Sequence, residues 1–103
     1  MAQFDVYRND NPESAAAFLY LLDLQSDLLS MLASRVIAPL EPLGADPAMQ
    51  RLNPVFVVEG RRVVMATADL TSVRREVLRE RVTSLDSHRY DILNAVDMLW
   101  SGV

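Results

Sequence analysis

The stretch VFVVEGRRVVMATA, residues 55–68, contains two β-branched runs joined by a short link through Gly60. β-Branched side chains suit the pleated surface of a sheet, and glycine reaches the positive φ that tight hairpin links require. The stretch therefore reads as a β-hairpin around Glu59-Gly60-Arg61. Upstream, Pro54 interrupts the chain and Ala48 to Leu52 has room for one helical turn. Pro39, Pro42, Pro47 and Gly44 break the segment before that.

Further outward the strand signals persist. RVIAPL, residues 35–40, marks a strand through Val36 and Ile37, with Pro39 expected to end it at a sheet edge or bulge. Leu28, Leu29, Met31 and Leu32 crowd the short connection before it. AFLYLLDL, residues 17–24, is apolar on both alternating faces, as a central strand buried on two sides would be. A helix competes for it, but the aromatics and the Asp-Gln-Ser-Asp that follows favour a strand. QFDVYR, residues 3–8, alternates Phe4 and Val6 against Asp5 and Tyr7 and opens the chain as a strand, closed by the turn formers Asn9 to Pro12.

Downstream, VRREVLRERV, residues 73–82, is charged like a helix. Its i,i+4 pairs nonetheless repel, Glu76 with Glu80 and Arg75 with Arg79, so it reads as extended and then turning. The last stretch, LDSHRYDILNAVDMLWSGV, residues 85–103, changes period. Ile92, Ala95, Val96 and Leu99 recur at helical spacing, with Asp86 or Ser87 expected as the N-cap. The expected fold class is mainly β with one long C-terminal α-helix, in a single domain spanning residues 1–103. Trp100 and Val103 at the end of the helix have two readings, an exposed contact surface or a tail tucked against its own domain.

Composition narrows the function. Half of the residues are hydrophobic and 23% are charged, a globular balance. Without cysteine there is no disulfide framework or thiolate chemistry, and a single histidine, His88, excludes multi-histidine metal sites. The net charge is −4 and all ten cationic residues are arginines, so unaided binding to a phosphate backbone is disfavoured. The guanidinium groups suit an acidic partner segment. The apolar runs are too short to span a bilayer, and no basic n-region with an apolar core opens the chain, which together predict a cytoplasmic protein.

Catalytic patterns are absent from the sequence: it has no phosphate-binding glycine loop, nucleophile elbow or metal-ligating histidine pair. His88 lacks an evident nucleophile and reads as a surface or packing residue. Asp23 and Asp27 read as a solvated or capping loop in preference to a catalytic pair. Asp69, with Thr67 and Thr71, reads as a loop held by side-chain to backbone bonds.

Several short strings, taken in order, resemble the CcdB family, the DNA gyrase poisons of type II toxin–antitoxin modules. They are Phe4-Asp5-Val6-Tyr7, Asp23-Leu24-Gln25-Ser26-Asp27, Arg35 to Leu40, and Leu52-Asn53-Pro54-Val55. Met65 to Val73 follows, and then Ser87-His88-Arg89 leading into Asp91-Ile92-Leu93-Asn94-Ala95-Val96. The resemblance runs from end to end. It implies an SH3-like β-barrel with an attached small sheet and a C-terminal helix, a homodimer, and no enzymatic activity or cofactor. It also implies a gyrase A contact through Asp97, Trp100, Ser101, Gly102 and Val103. A cognate antitoxin with a disordered tail would bind over Leu28, Leu29, Asp97 and Trp100, and the toxin would meet DNA only through that antitoxin, in transcription autoregulation. No membrane is involved.

The chain departs from the family at its tail, which runs Phe-Trp-Gly-Ile in the family and Trp100-Ser101-Gly102-Val103 here. The family's tryptophan thus falls at Ser101. Leu28 and Leu29 stand where the family has isoleucines, and Asp97 where it has asparagine. An endoribonuclease toxin on the same barrel, or a non-toxic member that keeps antitoxin binding, are the alternatives. The first would need a basic RNA-facing surface and a positioned acid or base.

Overall fold

The computed structural model describes residues 1–44 and 51–102. Seven antiparallel strands form one sheet: β1 (Asp5–Arg8), β2 (Tyr20–Asp23), β3 (Ser34–Pro42), β4 (Val55–Val58), β5 (Arg61–Met65), β6 (Thr71–Arg74) and β7 (Arg81–Ser84). The spatial order is β4-β5-β3-β2-β1-β7, with β6 also paired to β3. A helix, α1 (Arg89–Ser101), closes the chain. The sheet curls into a half-barrel, and one core joins its inner face to α1 through Phe4, Leu22, Leu40, Phe56, Ile92 and Ala95. This is the mainly β class with a terminal helix that the sequence predicts, in the barrel-like form that the resemblance implies.

The hairpin forms as read. Val58 lies opposite Arg61, leaving a two-residue turn in which Glu59 and Gly60 have φ of 52° and 75°. Two positive φ values in a two-residue link match the right-handed twist of the flanking strands. Glycine adopts that conformation freely, whereas Glu59 is strained and must be held. Three contacts hold it: Arg8 Nη2 donates to both carboxylate oxygens, at 3.0 and 2.9 Å, and the Tyr20 hydroxyl donates to Oε1 at 2.7 Å.

β2 is the doubly buried strand expected within Ala17–Leu24, with all four of its residues buried. It is shorter than the apolar run, because the chain turns between Asn11 and Phe18. The charged segment 73–82 is extended and turning, as read: β6 leads into a 3-10 turn at Arg75–Val77 and then β7. Leu78, just beyond that turn, packs with Tyr7, Leu21 and Ile37 on the outer face of the sheet.

Two expectations need correction. Pro39 does not end its strand: β3 continues to Pro42. On one side β3 pairs first with β6, through Ser34 to Ile37, and then with β5, from Leu40 onward. Pro39 sits where the partners change, and its carbonyl accepts the Ala66 N–H at 2.9 Å. A missing N–H at that gap costs no ladder bond. The helix start also differs, since neither Asp86 nor Ser87 caps it. Asp86–His88 form a 3-10 turn and His88 is the N-cap, without a side-chain cap bond. Leu85 is pinned by its N–H to the Phe4 carbonyl at 2.8 Å, so the chain leaves the sheet tightly and i→i+3 bonds satisfy the first amides. The helical turn expected at Ala48 to Leu52 lies largely outside the described residues.

Candidate functional site

α1 buries Ile92 and Ala95, half-buries Val96, Met98 and Leu99, and leaves Asp97 exposed. Trp100 is 66% exposed, so within one chain the tail is not tucked against its own domain. The helix persists through Ser101, whose Oγ donates to the Asp97 carbonyl at 2.6 Å. Gly102 then takes the left-handed conformation, φ 73°, and donates its N–H to the Met98 carbonyl, a glycine-terminated helix end. Residues 100 and 101 therefore point about 100° apart around a regular helix. Val103 lies outside the described residues.

Leu28 and Leu29 stand in a 3-10 turn, Asp27–Leu29, capped by Ser26 Oγ, which accepts the Leu28 N–H at 3.2 Å. The turn buries none of its side chains, and Leu28 and Leu29 are 84% and 47% exposed. Met31 and Leu32 are exposed beside them. Among the described residues, no packing of the chain on itself accounts for this run of bare apolar side chains.

Asp23 and Asp27, read as one solvated loop, take separate roles. Asp27 Oδ1 accepts the Gln3 N–H at 2.8 Å at the surface. Asp23 is fully buried, and its Oδ2 accepts from Arg35 Nε at 3.1 Å and Nη2 at 2.5 Å, while Oδ1 accepts the Gln25 N–H at 3.0 Å. Burial pushes its carboxyl above the ordinary carboxylate range, against the opposing pull of Arg35 and the Gln25 N–H. Arg35 was missed by sequence reasoning. Its signal was an arginine two residues before Ile37 on a strand face that is otherwise apolar, opposite a strand that also carries one lone charge.

His88 packs edge-on against Phe56, with ring centroids 5.1 Å apart, and so serves packing as expected. Of the threonine and aspartate trio, Thr67 binds backbone, donating to the carbonyls of Leu52 and Met65. Five of the ten arginines, Arg8, Arg35, Arg79, Arg81 and Arg89, sit in ion pairs with carboxylates, while Arg61, Arg62 and Arg74 are exposed outside such pairs among the described residues. A cavity of about 310 Å³ opens on the outer face over Leu21, Ile37, Pro39 and Val73, and no sequence-predicted site residue lines it. Among the described residues no cluster of three metal-ligating side chains occurs, and no helix is long and apolar enough to cross a membrane.

A family model described as CcdB protein matches residues 3–102. Among solved structures, one described as an endoribonuclease from Mycobacterial species is similar over 96% of this chain and 89% of that one, with a TM-score of 0.71. At 12% identity this likeness shows a shared fold and nothing about chemistry.

Proposed function

The chain belongs to the CcdB family, and from that premise we propose that it is the toxin of a type II toxin–antitoxin module that binds the DNA gyrase A subunit and traps the enzyme on cleaved DNA. The observation that carries this reading is a large aromatic side chain left bare near the end of α1, Trp100. Tryptophan is enriched among the few residues that carry most of the binding energy of protein interfaces. In this reading Asp97, Trp100, Ser101, Gly102 and Val103 meet gyrase, and the chain acts as a symmetric dimer that presents two tails. A cognate antitoxin covers Leu28, Leu29, Asp97 and Trp100 with a disordered segment, which gains affinity by wrapping a broad apolar surface. It alone brings the toxin to DNA.

Two experiments test the reading together. Induction of the chain in bacterial cells should arrest growth, and purified gyrase incubated with it should accumulate cleaved DNA. Arrest without cleaved DNA would remove gyrase as the target, and no arrest would leave the non-toxic alternative. The endoribonuclease reading draws on the shared fold of the mycobacterial structure. Against it stands the net charge of −4, which disfavours approach to a phosphate backbone, so RNA cleavage by the purified chain is not expected.

A further inference from the structure

The apolar turn at Leu28 and Leu29 has no core contact of its own, yet its backbone is held from below by a continuous polar network. Arg35 and Asp23 lie at its base, both fully buried. Asp23 holds the Gln25 N–H, and the Gln25 side chain then spans two elements. Its Oε1 accepts the Val36 N–H of β3 at 3.2 Å, and its Nε2 donates to the Leu29 carbonyl at 2.9 Å. Gln3 braces the same turn from β1's side, with its N–H to Asp27 Oδ1 and its Nε2 to the Leu24 carbonyl at 3.1 Å.

A buried ion pair is an inefficient way to stabilise a core, since well-packed apolar side chains of similar volume do as well or better. Here the cost is higher still, because Arg35 Nη1 is buried without a hydrogen-bond partner among the described residues. What the pair supplies that apolar side chains cannot is direction: a carboxylate oriented by a guanidinium fixes the Gln25 backbone, and Gln25 fixes the turn.

We propose that Asp23, Gln25 and Arg35 are positioning residues for antitoxin recognition, holding the Leu28–Leu29 turn in one arrangement so that the disordered tail of the antitoxin docks on a preformed apolar surface. This rests on the antitoxin contact given under Proposed function. A partner that must order a loop on binding loses affinity in proportion to the ordered fraction, so a turn ordered about one-tenth of the time weakens binding about tenfold.

Gln25→Leu tests this while leaving the buried pair in place. In the free protein, amide exchange at Leu29, Ser30 and Leu32 should accelerate about tenfold while β2 and β3 keep their protection. Unchanged exchange there overturns the proposal whatever the partner is. Binding is then measured with a synthetic peptide of the disordered tail of an antitoxin from a CcdB-family module, and Gln25→Leu should weaken it about tenfold. In a Leu28→Ala/Leu29→Ala background the same substitution should add nothing, because the surface that it positions is gone. If the double alanine variant binds the peptide normally, the antitoxin contact itself is wrong. If the leucines matter and Gln25 does not, only the positioning role falls.

Discussion

Trp100 carries the sharpest residue-scale test, because its side chain is mostly bare within one chain. A core aromatic cut to alanine costs about 3–5 kcal/mol of stability. An exposed one costs little, so Trp100→Ala should melt within a few degrees of the parent while losing on the order of 2 kcal/mol or more of gyrase affinity. Calorimetry beside a cleaved-DNA assay checks both, and early melting with normal poisoning would mean that the dimer buries the indole. Ser101→Trp should strengthen poisoning by restoring an aromatic at the family's position. Ser101 now spends its hydroxyl on the Asp97 carbonyl, a local bond that slightly disfavours the helix, so its loss is cheap. Arg35 is the opposite case. Arg35→Ala leaves Asp23 buried and uncompensated, and denaturant unfolding should show a loss of about 3–5 kcal/mol.

At the scale of elements, the β4–β5 hairpin carries a pH dependence. The hydrogen bond from the Tyr20 hydroxyl, and then that from Arg8, hold the Glu59 carboxyl below the ordinary glutamate range. A depressed native value means that the ionised form stabilises the fold fully above the unfolded glutamate value of about 4.3, and that this contribution is lost as pH falls through the native value. Melting curves of the parent and Glu59→Gln should therefore differ by a constant amount above pH about 5 and converge in acid. A gap that stays constant down to acid pH would mean that Glu59 has no electrostatic role in the turn. The terminal helix depends on a smaller number of contacts. Ile92 is fully buried against the sheet, so Ile92→Ala should cost about 2–5 kcal/mol by denaturant unfolding.

At the scale of the whole molecule, the chain leaves bare apolar side chains at the end of α1 and along the Leu28–Leu32 segment, and others on β4 at Val57 and early in α1 at Tyr90. Such surfaces on a small domain call for cover. We expect a two-fold dimer that shields part of the tail, with light scattering at micromolar concentration giving twice the chain mass. A monomer would leave each tail to meet gyrase singly. The curled sheet suits display of these surfaces, because its inner face is filled by α1, while on its outer face Leu78 covers part of the central strands beside the open cavity.

The sequence by itself determined whatever is written in short-range periodicity. The hairpin follows from β-branched runs about a glycine, the terminal helix from its 3.6-residue stripe, and the doubly buried β2 from apolar residues on both alternating faces. The candidate contact residues Leu28, Leu29 and Asp97 came from resemblance and Trp100 also from its own place at the helix end, and the exposure of these four agrees with such a role without assigning it. Only the tertiary structure decided the rest. Asp23 and Arg35 are twelve residues apart, and each reads as an ordinary polar residue until neighbouring strands bring them together out of water. Pro39 is tolerated inside β3 because two other strands happen to exchange places beside it. The helix begins at Arg89 because Leu85 is tied to Phe4 at the far end of the chain. In each case the deciding energy is the solvation or pairing of a backbone or charged group by residues distant in sequence, and no local pattern records which residues those will be.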